Sequence, residues 1–196
     1  EIHERLVGSE MCIRDSTGIV GYLGHDPELF NDSVENNVLL GDSKSSDTYL
    51  NAACMKQEVA EMTDGKNTLI GSGGAYLSGG QAKRLAFART MCHDKPILIL
   101  DDPFSALDKN TEKQAFVNLQ ALAKDSIVLL ISHRLYLFPE MDGVIWMENG
   151  KAVTGTHEEL LKTVPEYENL YTSQVHTTEN GGAEHDAQKT SENGDL

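Results

Sequence analysis

Two adjacent carboxylates, Asp101 and Asp102, close the unbroken aliphatic run Ile97-Leu98-Ile99-Leu100. Carboxylates leaving the end of a buried strand can hold Mg²⁺ and orient an attacking water, which is how nucleotide hydrolases use them. Asp101 then enters the magnesium shell and Asp102 faces the water; the plainer alternative is that the pair caps the turn at Pro103. Leu77-Ser78-Gly79-Gly80-Gln81 is a second stretch with chemical potential. Two glycines at a helix start let backbone N–H groups approach an anion closely, the helix dipole favours phosphate there, and the Ser78 hydroxyl adds a donor. Glycine-rich helix starts are also ordinary turns, so this stretch alone decides nothing. His133 stands just past a further aliphatic run, Ile127–Ile131. The three cysteines, Cys12, Cys54 and Cys92, have neither CxxC nor Cys/His ligand spacing, so neither a zinc site nor a disulfide framework is expected. A reducing, cytoplasmic setting fits that usage.

The elements that position these groups follow from pattern. Gly18–Leu23 predicts a short buried strand. Ser33–Gly41 predicts a helix capped by Ser33 and stopped by Gly41, and Ser46–Met62 a longer one capped by Asp47 and closed at Asp64-Gly65. Gln81–Met91, rich in Ala, Leu and Arg, predicts a further helix, and Thr111–Lys124 another. Ile97–Leu100 and Ile127–Ile131 show no polar alternation, which predicts strands covered on both faces of a parallel sheet. Gly143–Met147 and Lys151–Val153 flank Asn149-Gly150 and predict a hairpin. The alternation gives an α/β fold, in which ligands sit at the carboxyl ends of the strands, where Asp101, Asp102 and His133 fall.

The chain has 196 residues and a net charge of −15, a balance that argues against nucleic acid as a partner. No apolar run approaches the roughly 18 residues needed to span a bilayer. Met11–Ser16, MCIRDS, resembles a translated transposon end from sequencing libraries, so residues 1–16 are expected to be an adapter scar, the alternative being a natural leader. Residues 174–196 are expected to form a disordered acidic tail: from Thr172 onward there are five acids, one Lys, and a single Val before the terminal Leu.

Taken in order and spacing, LSGGQ at 77–81, ILILDD at 97–102, SALD at 105–108 and ISHR at 131–134 resemble the ATPase domains of ATP-binding cassette (ABC) transporters. Gly21–Pro27 and Leu29–Asn37 resemble that family's Q-loop and the segment after it, and Gly155–Leu160 the exporter-type C-terminal segment. The resemblance spans about 18–173 and implies a P-loop NTPase fold with a mostly parallel sheet and a helical signature subdomain over about 31–93. It implies ATP and Mg²⁺ as cofactors, with Asp101 holding the metal, Asp102 as base, His133 contacting the γ-phosphate and His25 in the sensor position. Ser78, Gly79, Gly80 and Gln81 would bind the nucleotide held by an opposing ATPase domain, and Asp108 would couple the two sites. The implied partners are that second domain and the coupling helices of a transmembrane domain, placing the assembly on the cytoplasmic face of the plasma membrane.

Departures from the family pattern carry meaning. No GxxxxGK[ST] occurs; Gly65-Lys66 is followed by Asn67 and reads as a turn, so the chain is expected to be truncated before the phosphate-binding loop and inactive alone. A sheet face would then be left uncovered. Asp102 stands where the family usually has Glu, and a carboxylate withdrawn by about 1.5 Å misplaces a general base. His25 replaces the usual Gln. LSGGQ and SALD are intact. The expectation is therefore a heterodimeric exporter subunit whose own site is slow but whose signature completes a working one; a homodimer using Asp as base stays open. A soluble ABC ATPase of DNA repair or translation, and a non-catalytic dimerising fragment, are the alternative classes.

Overall fold

The structure, a computed structural model, describes residues 18–71, 74–105 and 107–175. The expected scar at 1–16 and all but the first two residues of the expected tail lie outside the described residues. The chain divides into two units between Ser132 and His133, where the sequence suggests one continuous part over 17–173.

In the first unit, β1 (Val20–Leu23), β2 (Ile97–Asp101) and β3 (Ile127–Ile131) form a parallel sheet in the order β1-β2-β3. Its register places Val20, Ile97 and Ile127 in one row, Tyr22, Ile99 and Leu129 in another, and Leu23, Leu100 and Leu130 in a third. Because side chains alternate between faces, one face collects the buried Leu23, Leu98 and Leu100. Gly21 lies on this face because nothing larger fits: a Cβ there would sit 2.8 Å from Leu98 Cδ2. The other face is open, with Tyr22, Ile127, Leu129 and Ile131 each 44–64% exposed. The expectation that β2 and β3 are covered on both faces is therefore corrected, β2 being half-buried and β3 exposed on this side, whereas the uncovered face expected of a chain without the phosphate-binding loop is present. An unbroken aliphatic run signals a strand, but the number of covered faces depends on what is packed there.

The helices follow their caps. α1 (Val34–Leu39) starts at Ser33, whose Oγ accepts from Asn36 N, and ends on left-handed Leu40 (φ 47°) and Gly41 (φ 88°). The single helix expected over 46–62 is two, α2 (Ser46–Ala52) and α3 (Lys56–Glu61), separated at Cys54 with φ 55°. At about 100° per residue an unbroken helix would aim Leu50 and Ala53 nearly opposite to Ala52, Met55 and Val59. All five are buried, and the break lets both sets reach the core. Ser45, not Asp47, is the N-cap position of α2. Gly65–Asn67 is a 3₁₀ turn whose Lys66 pairs with Glu35 at 2.9 Å and Asp47 at 3.5 Å, so Gly65-Lys66 is structural. α4 (Gly79–Cys92) and α5 (Lys109–Leu122) each begin two residues before the expected start, because Ser78 and Asp108 cap them.

The second unit contains a 3₁₀ segment (Leu135–Glu140), the antiparallel pair β4 (Val144–Glu148) and β5 (Lys151–Gly155), α6 (His157–Thr163), and α7 over 165–175. Asn149 (φ 49°) and Gly150 (φ 74°) supply the two positive φ angles of a type I′ hairpin turn. Gln174 belongs to α7 rather than to a disordered tail. Its Oε1 accepts from Leu135 N at 2.9 Å and its Nε2 donates to His133 O at 2.7 Å. Leu135, Val144, Leu160, Val164 and Tyr167 form the core, and Trp146 meets Tyr167 edge-on at 5.5 Å, so the one Trp is a packing residue.

His157 is buried in this core, with Nδ1 2.7 Å from the Tyr167 hydroxyl and its ring 4.6 Å from that of Tyr171. Burial pushes its pKa down, opposed by the nearby Glu158 carboxylate, while burial pushes the Tyr167 phenol up to about 12. A histidine whose pKa is lower folded than unfolded stabilises fully above its unfolded value of roughly 6.5 and loses that stability as pH falls through the folded value. Urea unfolding followed by Trp146 fluorescence should thus show a lower midpoint at pH 5.5 than at pH 7.5. In His157→Gln the difference should shrink; an unchanged difference would assign it to other groups.

Candidate functional site

The signature turn is built by local capping. Ser78 adopts extended angles (φ −62°, ψ 159°); its Oγ accepts from Gln81 N at 3.2 Å, and Gln81 Oε1 accepts from Ser78 N at 2.9 Å. This capping box satisfies two donors and leaves the first-turn N–H groups of Gly79 and Gly80 without a carbonyl one turn earlier to accept them. Ser78 and Gly79 are exposed, and a Cβ at Gly79 would meet nothing within 4 Å. The Ser78 hydroxyl proton is not used by the cap. A 14-residue helix thus presents amides, a hydroxyl and a positive dipole end to an open approach, which suits an anionic oxygen.

The approach loop is held by close backbone contact. At Gly74 a Cβ would collide with Leu69 O, and Gly71 has φ 95°. Ala75 N donates to Leu69 O at 2.8 Å. Tyr76, next to the signature, is 87% exposed.

At the carboxyl end of the sheet, Asp101 closes β2 half-buried and pairs in register with Ile131. Asp102 has φ 48°, and its N–H donates to Ile131 O at 2.8 Å, extending the ladder by one residue. Its carbonyl accepts from Ser105 N at 3.3 Å, so the turn at Pro103 is closed by backbone. Asp102 is 9% exposed. Left-handed geometry favours Asp among charged residues, because its short polar side chain tolerates φ > 0. Asp108 caps α5 through Asn110 N (3.0 Å), Thr111 N (3.1 Å) and Thr111 Oγ1 (2.6 Å), and the Thr111 hydroxyl holds its carboxyl below the usual range. Lys83, buried in α4, donates to Ser105 Oγ at 3.0 Å and ties the signature helix to the segment carrying Asp108. His25 is exposed two residues past β1. In-register parallel pairing brings the carboxyl ends of the three strands, and with them His25, Asp101 and Asp102, to one edge of the sheet. His133 belongs to the second unit.

A family model described as ABC transporter matches residues 3–105. The chain belongs to the ABC transporter family. It is 39% identical over 166 residues to an "ATP-dependent lipid A-core flippase" of Burkholderia pseudomallei, covering 83% of this chain and 28% of the relative. It is 37% identical to "P-glycoprotein 14" of Caenorhabditis elegans, covering 84% of this chain and 13% of that protein. Its fold matches a bacterial Atm1-family ABC exporter solved with ATP bound at a TM-score of 0.74 and 29% identity, over 81% of this chain and 29% of that one. The chain therefore spans under a third of the length of the relatives it matches. Among the described residues no helix is long and apolar enough to cross a membrane.

Within the ABC fold, Arg84 and Arg89 are ion-paired or hydrogen-bonded to other parts of the chain. Arg84 pairs with Glu58 at 2.6 Å. Arg89 donates to Asn37 O and Oδ1, both at 2.7 Å, and to Glu28 O at 2.9 Å, with its guanidinium 4.9 Å from the Phe30 ring centroid. Asn37, fully buried, also accepts from Phe30 N and donates to Phe30 O and Ser33 O. Glu58, Lys83 and Asn37 escaped the sequence reading, because each acts through partners distant in sequence. An ammonium cannot serve three divergent acceptors as the Arg89 fork does. Arg89→Lys should lower unfolding free energy by about 2 kcal/mol in urea titrations followed by circular dichroism; a change under about 0.5 kcal/mol would show that the fork is dispensable.

Proposed function

We propose that this chain supplies the signature and the carboxylate end of an ATP-hydrolysing domain that drives export across a membrane. The observation that carries the reading is the signature turn: an exposed Ser78, unobstructed Gly79 and first-turn amides at the start of a long, buried helix. Such a turn grips phosphate through dipoles and hydrogen bonds without a basic side chain. The relatives named as flippase and exporter support transport as the use of that energy.

In this reading Ser78, Gly79, Gly80 and Gln81 hold the γ-phosphate end of an ATP bound by an opposing ATPase domain, and Asp108 couples the two sites. Asp101 and Asp102 serve the chain's own site. Among the described residues no cluster of three or more metal-ligating side chains occurs, and Mg²⁺ does not need one: it is commonly held by one or two carboxylates together with substrate phosphates and water. Asp101, a hard oxygen donor at a strand end, fits that role, and the ion would neutralise charge on the phosphates. Asp102 accepts a proton from water with a carboxylate set back by one methylene, which slows this site relative to the one completed by the signature. His133 contacts the γ-phosphate and His25 senses it. The assembly is a heterodimer at the cytoplasmic face of the membrane, joined to coupling helices near the exposed Phe30. Taken alone, the chain turns over no ATP, because its sequence offers no loop to cradle the β- and γ-phosphates.

In a reconstituted assembly, Ser78→Arg should reduce ATP turnover at least tenfold, measured by phosphate release; full turnover would sink the reading. Asp102→Glu should raise turnover if reach limits this site, and a fall in hydrolysis would remove the slow-site assignment.

A further inference from the structure

The signature turn is held from outside α4. Glu58, on α3, accepts from Arg84 Nη1 at 2.6 Å through Oε1, and from Arg84 Nη2 at 2.8 Å and Gln81 Nε2 at 3.1 Å through Oε2. Arg84 is fixed in turn by the carbonyl of Cys54, at 3.1 Å, which the left-handed break between α2 and α3 brings into reach. An ionised carboxylate can only accept hydrogen bonds. It therefore dictates which end of the Gln81 amide faces it: the NH₂ group must point to Glu58, and Oε1 must point away. Oε1 is then free to accept from Ser78 N, the bond that closes the capping box. The guanidinium beside Glu58 holds its carboxyl below the usual range, with Gln81 adding to the effect, so the acceptor stays ionised through neutral pH.

We propose that Glu58 is a positioning residue for the signature: by fixing the polarity of the Gln81 amide it presets the Ser78 turn that receives the opposing nucleotide. This inference rests on the function proposed above. It makes the helical segment carrying α3 a controlling partner of the phosphate-binding turn, because any displacement of Glu58 releases the Gln81 amide and with it the Ser78 cap.

An isosteric substitution separates this role from packing. In Glu58→Gln the single carbonyl oxygen pairs with the Arg84 charge, leaving an NH₂ group toward Gln81, which reverses the Gln81 amide and withdraws Oε1 from Ser78. Amide hydrogen exchange of the full chain, followed by NMR, should show Ser78 N–H exchanging about fivefold to tenfold faster in Glu58→Gln, the loss of one hydrogen bond. Arg84→Met, which keeps the Glu58–Gln81 bond, should leave Ser78 exchange within twofold of wild type. Equal acceleration in both variants, or none in Glu58→Gln, would overturn the proposal. In the assembled ATPase, Glu58→Gln should raise the KM for ATP about fivefold with kcat changed less than twofold; a fall in kcat at constant KM would mean a general structural defect and also overturns it. Ser78→Arg serves as the reference: if it leaves turnover intact, the functional reading fails, whereas an inactive Ser78→Arg beside an unaltered Glu58→Gln sinks only the role of Glu58.

Discussion

Burial of α4 is the constraint on which the first unit depends. Leu85, Ala86, Phe87, Ala88, Met91 and Cys92 are all within 5% of full burial, and Thr90 and Lys83 are nearly so. Consecutive buried positions mean that the helix is enclosed on several sides, rather than resting on one stripe as a surface helix does. The alanines permit that enclosure by letting α1, α2 and β1 approach closely. Only the N-terminal turn escapes. A helix immobilised along its length and exposed at one end holds its terminal amides in a fixed direction, which is what electrostatic recognition of a phosphate requires.

The long cationic side chains of α4 each reach a specific partner, although Arg84 Nε itself is left without one. Lys83 meets Ser105, Arg84 meets Glu58, and Arg89 meets Asn37 and Glu28. These bonds run to the loop after β1, to α1, to α3 and to the turn after β2, so they register the helix against four segments on different sides. Of the three cations, Arg84, the one nearest in the helix to Gln81 after Lys83, is neutralised by a carboxylate, Glu58. What remains for an anion is the dipole and the hydrogen bonds of the turn itself, which act over a short range and favour a closely docked ligand over a diffuse one.

The sheet displays the opposite condition. Parallel pairing in strict register stacks the branched residues of three strands into rows, and the same rows that fill the core on one face stand open on the other. Asp101 lies at the end of one such open row, beside Ile131, while Asp102 turns away through a left-handed residue into a buried position. Two adjacent acids thus have different environments because the strand ends between them.

Caps, turns and strands were legible in the residues themselves. Ser33 and Asn149-Gly150 act through bonds and φ angles only a few residues long, so local chemistry determined them, along with the family and its ordered motifs; the Ser78–Gln81 box is equally local, yet the helix it caps begins two residues before the expected start. The break at Cys54 was not legible, because two buried sets on opposite sides of one apparent helix matter only when a core exists to receive both. The ordered Gln174 and the Glu58 bridge to Gln81 were decided by tertiary structure for the same reason. Each depends on which distant segment arrives within hydrogen-bond or van der Waals reach, and that distance is a property of the packed chain rather than of its spacing.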